Sequence, residues 1–161
     1  MLGELAQVRR YFAEPDLRNR IQGAVANQIK RDTRVVIGHS LGSVVAYEAL
    51  CRNDVSPLPT LITLGSPLGI RKIVFDRLTP RPVMREGHPV GRWPGVGRAW
   101  VNICDERDIV SLVKDLKPLF GSQLQQAVID NGPKAHDVSP YLTSQETGSA
   151  VLEALSGDSL L

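Results

Sequence analysis

Residues 38–42 read Gly38-His39-Ser40-Leu41-Gly42, set between a β-branched run and a run of small and apolar residues. Arg34-Val35-Val36-Ile37 has the pattern of a buried strand. Ser43-Val44-Val45-Ala46-Tyr47-Glu48-Ala49-Leu50 has that of a helix with nearly every side apolar, Glu48 excepted. Strand, tight turn and helix form the setting in which G-x-S-x-G is a mechanism rather than a pattern. The turn is expected to strain the Ser40 backbone, with glycine at 38 and 42 letting strand and helix pass closely. The hydroxyl is then lifted off the sheet, and the N–H groups opening the helix point at whatever it meets.

A chance G-x-S-x-G arises in about one chain in twenty of this length. The plain alternative is a glycine-rich turn, as any α/β protein has. The flanking elements separate the two readings.

The bulk properties narrow the field. A length of 161 residues, 42% of them hydrophobic, suits one domain over 1–161 with a proper core. Nineteen basic and 17 acidic residues leave a net charge of +2, too balanced for nucleic acid or an anionic membrane as main partner. Eight aromatic residues are too few for a base-stacking surface. Cys51 and Cys104 sit in or beside apolar runs and read as buried free thiols, without metal-ligand spacing. No signal-peptide pattern opens the chain, and no apolar run reaches the roughly 20 residues that span a bilayer. A soluble, cytoplasmic protein is expected.

Along the chain, Leu2, Leu5, Val8 and Phe12 have helical spacing, and so do Leu17, Ile21, Val25 and Ile29, with Asp16 expected as the cap of that second helix. After a turn through Asn53, Asp54, Pro57 and Pro59, Thr60–Leu64 reads as a strand ending in Gly65-Ser66-Pro67. Ser66 is a rival nucleophile in principle, but Pro67 cannot continue an elbow. Residues 79–98, rich in proline and glycine, show no periodicity and read as an irregular connection or a lid, with Trp93 against the core or a ligand chain. Residues 99–104 form a third strand and 123–129 a weaker fourth, followed by a turn at Asp130-Asn131-Gly132-Pro133. A short helix over 149–155 precedes a polar tail. No repeats or low-complexity tracts occur.

With its Gly-His-Ser-Leu-Gly elbow, the chain resembles the α/β-hydrolase superfamily, the lipase and esterase branch in particular. The resemblance implies a serine nucleophile at Ser40, followed along the chain by an acid and then a histidine. A serine hydroxyl needs a neutral imidazole to take its proton, and the imidazole needs a carboxylate to hold its tautomer. His39 adjoins Ser40 and its side chain should point away; His88 precedes any acid after the third strand. His136, after the fourth strand, is where the resemblance puts the base. For the acid, Asp108-Ile109-Val110 matches the family's Asp-Pro-Val with isoleucine for proline, and Asp105 is the alternative. Glu106 reads as a solvated charge, Asp137 as a cap for the next segment and Asp130 as a turn residue.

The resemblance thus implies a serine esterase acting on a small ester or acyl substrate, with Leu41 N–H as an oxyanion donor and no cofactor or metal. It covers about residues 16–156. In that family several strands precede the elbow; here 33 helical-looking residues do. The expected fold is therefore a partial α/β-hydrolase fold, about four mostly parallel strands flanked by helices, without the family's N-terminal strands. Two consequences follow. Strand 34–37 should lie at or near a sheet edge, inviting a homodimer, a partner chain, or a truncated polypeptide as the explanation. The family's second oxyanion donor, from an early loop, has no counterpart, and losing one such donor costs roughly 10²–10³ in turnover. A non-catalytic interaction module is the rival reading.

Overall fold

Val35-Val36-Ile37 are β-branched, and the strand they seed runs Val35–His39 (β1). It enters helix α3, Leu41–Arg52, through the single residue Ser40. The computed structural model describes residues 2–52, 59–95 and 99–156. The turn expected at Asn53, Asp54 and Pro57 and the tail after Ser156 lie outside them, as do the side chains of Leu2 and Leu5.

The fold is α/β. Strands β1, β2 (Thr60–Leu64), β5 (Trp100–Asp105) and β6 (Gln125–Ile129) form one parallel sheet in the order β1-β2-β5-β6. Val35 pairs with Thr60, Leu61 with Trp100, and Val101 with Gln125. A parallel sheet is normally covered on both faces, and this one is. Helix α3 packs on one sheet face, with α1 (Leu2–Ala13) and α2 (Pro15–Ala26) against it, in a layer that buries Val8, Tyr11, Val44, Tyr47, Leu61 and Trp100. Helices α5 (Val138–Thr143) and α6 (Gln145–Ser156) cover the other, over Ile62, Leu64, Val101, Ile103 and Ala150. The split follows strand alternation: Leu61 and Trp100 face one layer, Ile62 and Val101 the other.

β1 and β6 are the sheet edges. Thr60 N donates to Arg34 O and Ser40 N to Leu64 O, so even-numbered β1 residues pair with β2. By ladder parity, Val35, Ile37 and His39 turn their backbone groups outward. Ile37 is 41% exposed.

Several elements differ from expectation. Glu14, not Asp16, takes the N-cap position of α2; Pro15 opens the helix with its fixed φ, and Asp16 lies in the first turn. The final helix is longer than residues 149–155. Residues 79–98 carry a small antiparallel hairpin, β3 (Val83–Arg85) and β4 (His88–Val90), turning through Glu86 and Gly87 at positive φ. Residues 96–98 lie outside the described ones. Trp93 packs on Trp100, ring centroids 5.5 Å apart. A short helix α4, Lys117–Phe120, was also without a sequence signal.

Glu48, the polar exception on α3, is fully buried. Tyr11 Oη donates to it at 2.6 Å, Gln22 Nε2 at 3.0 Å and Thr79 N at 2.7 Å, and Arg18 forms an ion pair with it. A buried charge persists only when paired in this way. Cys51 and Cys104 are free and buried; burial pushes the Cys51 thiol up to about 11, so it packs as a small apolar group.

Candidate active site

The C-terminal ends of β1, β5 and β6 bring three polar side chains together. Ser40 sits at φ 52°, in the left-handed region that non-glycine residues rarely occupy. Its N–H is tied to Leu64 O at 3.0 Å, and its carbonyl accepts from Ser43 N at 3.0 Å and Ser43 Oγ at 2.5 Å. A Cβ at Gly38 would lie 2.6 Å from Gly42 O and from Ser43 Cα, so strand and helix can pass only with glycine there. At Gly42 a Cβ would meet nothing within 4 Å. The steric need expected at both glycines therefore rests on Gly38; Gly42 contributes its backbone. Leu41 N–H stands at the α3 N-terminus, where a helix leaves donors without intrahelical acceptors.

His136 Nε2 lies 3.0 Å from Ser40 Oγ, and its Nδ1 lies 2.8 Å from Asp108 Oδ2. Asp108 is almost wholly buried. Its Oδ1 accepts from Val110 N at 2.8 Å, and its Oδ2 also accepts from Tyr141 Oη at 2.8 Å. Burial pushes the Asp108 carboxyl up, but the bonds from His136, Tyr141 and Val110 outweigh it, and its pKa lies below the ordinary value. The carboxylate next to the ring is thus ionised at neutral pH and fixes the proton on Nδ1, leaving Nε2 to accept from the serine.

Asp105 serves a different purpose. It is fully buried, with Oδ1 accepting from Arg107 N at 2.7 Å and Oδ2 from Asn131 N. Its carboxylate therefore anchors the turn after β6 that carries His136. Asp130 accepts from Gly132 N within that turn, and Asp137 caps α5 by accepting from Ser139 N. Lys114 Nζ donates to the carbonyls of both Asp105 and Asp108, at 2.7 and 2.6 Å, and so holds the acid loop against the end of β5.

Ser66 is buried, its Oγ 2.7 Å from Ser43 Oγ and bonded by Leu68 N at 3.3 Å. No substrate could reach it. His88 lies on the exposed hairpin. His39 contacts His136 through the latter's backbone: its Nε2 is 3.0 Å from His136 O.

Three site residues gave no sequence signal. Tyr141 Oη bridges Asp105 N and Asp108 Oδ2, linking α5 to the acid. Gly65, at φ 52°, leaves the space that the acid and imidazole occupy. Lys114 looks like any surface lysine in the sequence. A cleft of about 500 Å³ opens beside Asp108 and His136, lined by Ile109, Val110, Pro133 and Lys134 among others.

Chemically, an imidazole that bonds a hydroxyl on one side and a carboxylate on the other can take up the hydroxyl proton and return it. Among the described residues, no cluster of three or more His, Cys, Asp or Glu could hold a metal ion, and no helix is long and apolar enough to cross a membrane. Comparison with protein-family models, with curated proteins and with solved structures found no match to this chain.

Proposed function

We propose that this chain is a serine hydrolase of the α/β-hydrolase type that cleaves a carboxylic ester through an acyl-serine intermediate. One observation carries the reading: a single imidazole, His136, spans Ser40 Oγ at 3.0 Å and Asp108 Oδ2 at 2.8 Å. Ser40 Oγ attacks the acyl carbon as His136 Nε2 takes its proton. Asp108 stabilises the imidazolium, and Leu41 N–H donates to the developing oxyanion. The tetrahedral intermediate collapses, His136 returns the proton to the leaving alcohol, and the ester bond breaks. Water, deprotonated by His136, then releases the acid and restores Ser40. Thioesters and amides would use the same groups.

The test is labelling by a fluorophosphonate, which reacts with an activated serine. Wild-type protein should label, and Ser40→Ala should not. A folded wild type that stays unlabelled over hours at neutral pH would sink the reading.

A second reading, a non-catalytic module that pairs with another chain or a second copy, draws support from the outward backbone groups of β1 and from Ile37 at 41% exposure. Sedimentation of wild type against Ile37→Lys tests it. A wild type that is monomeric up to high micromolar concentration argues against self-pairing.

A further inference from the structure

The imidazole base is carried by a segment rooted far from the nucleophile. His136 follows β6, at one edge of the sheet, whereas Ser40 follows β1, at the other. Three strand spacings separate them, roughly 14 Å at about 4.8 Å each. The segment from 130 to 137 must reach back over the strand ends, and a misplacement of about 1 Å there can cost on the order of 10²-fold in rate. Asp105, the last residue of β5, and Asp108, three residues on, hold this segment from the middle of the sheet.

His39 holds it from β1 itself. It is the last residue of β1 and directly precedes Ser40. Its Nε2 lies 3.0 Å from the His136 carbonyl oxygen. A carbonyl only accepts, so the proton of this contact sits on His39 Nε2. The His39 ring also lies against the His136 ring, centroids 4.8 Å apart and planes inclined 34°, and 5.8 Å from the Tyr141 ring. A closed loop results: Ser40 is bonded covalently to His39, His39 to the His136 backbone, and the His136 side chain to Ser40 Oγ. Both ends of the working hydrogen bond are thereby referred to one short piece of β1.

We propose that His39 is a positioning residue for the reaction proposed above, its Nε2–H holding the His136 backbone so that His136 Nε2 stays in reach of Ser40 Oγ. The proposal rests on the hydrolase reading for its kinetic consequence, though not for its geometry. His39 neither touches substrate nor exchanges the reacting proton. Its donor, more than its ring, does the positioning, and the Nε2 of a glutamine at 39 can occupy nearly the same point.

The experiment compares wild type, His39→Gln and His39→Phe as full chains. It reads the second-order rate of fluorophosphonate labelling, kcat and KM on p-nitrophenyl acetate, thermal melting, and ¹⁵N shifts of the ring nitrogens. Gln keeps the donor and loses the ring; Phe keeps a ring and loses the donor. Expected are a labelling rate within about threefold of wild type for Gln and a fall of about tenfold or more for Phe, in kcat rather than KM. Neutral wild-type His39 should carry its proton on Nε2. Labelling of His39→Phe at the wild-type rate overturns the proposal, as does an equal loss in both variants with unchanged melting. A wild type that resists the probe altogether overturns the hydrolase reading instead. The His39 link is then decided by the ring nitrogens, where a proton on Nδ1 of neutral His39 refutes it and one on Nε2 upholds it. The same nitrogens decide it if His39→Phe does not fold.

Discussion

Gly65 stands where a side chain would strike Asp108: a Cβ on residue 65 would lie 2.7 Å from Asp108 Oδ2 and 3.3 Å from His136 Nδ1. The end of β2 thus makes room for the bond between β5 and the segment after β6. Alanine at 65 would have to adopt φ 52°, costing about 1–2 kcal/mol before any clash. Gly65→Ala should fold with a lowered melting temperature and lose at least tenfold in fluorophosphonate labelling, a loss larger than its stability change alone would produce. Labelling at the wild-type rate would mean the pair tolerates the intrusion.

The two aspartates at the C-terminal end of β5, Asp105 in its last position and Asp108 three residues on, should separate in their effects. Asp108→Asn leaves the shape nearly intact but offers an amide to Nδ1, which favours the wrong tautomer and should lower kcat about 10⁴-fold. Asp105→Asn disturbs the bonds to Arg107 N and Asn131 N, so it should cost about 1–3 kcal/mol of stability and, by loosening the segment that carries His136, lower kcat by about 10²-fold at most, well short of the Asp108 change. Steady-state kinetics with parallel melts distinguish them. Equal kinetic losses would assign the acid wrongly.

Tyr141→Phe removes one of the bonds that hold the Asp108 pKa down and leaves the buried Asp105 N–H without its acceptor. The bonds from His136, Tyr141 and Val110 hold the wild-type carboxyl below the ordinary aspartate value. It therefore adds stability above the unfolded-state value, and that stability disappears as pH falls through the folded value. Raising the folded pKa toward the ordinary one moves the loss to higher pH. Acid unfolding followed by circular dichroism should begin at higher pH in Tyr141→Phe, beyond a pH-independent loss of about 1–3 kcal/mol. Superimposable acid limbs after normalisation would contradict this.

Glu48→Gln breaks the buried ion pair with Arg18 and should destabilise by about 3–5 kcal/mol. Because Glu48 joins α1, α2 and the 79 segment to the elbow helix, the change is global. Urea denaturation reads it, and labelling by the fluorophosphonate in the folded fraction should stay near the wild-type rate.

Much of this molecule was legible in local pattern. The β-branched run before Ser40, the small and apolar run after it and the strand Thr60–Leu64 lie where their periodicity and composition put them, because each depends on neighbours a few residues away. Segments of weak pattern were not legible: the β3–β4 hairpin is short and solvent-exposed on β3, with no buried face to leave a period. Sequence also narrowed the candidates near the site to a serine, a histidine and two aspartates. Local pattern does not separate Asp105 from Asp108, three residues apart at one strand end; only the resemblance of Asp108-Ile109-Val110 to Asp-Pro-Val put Asp108 first, with Asp105 as the alternative.

The amino-acid order by itself thus determined the elbow, the alternation of strand and helix, and the short roster of groups able to do chemistry. Only the tertiary structure decided which of them meet. His136 bonds Asp108 across 28 residues and Ser40 across 96, while Gly65, Tyr141 and His39 matter through what lies beside them in space. Periodicity is a property of adjacent residues; a contact between distant ones depends on how strand order and loop path carry the chain, and no local pattern encodes that distance.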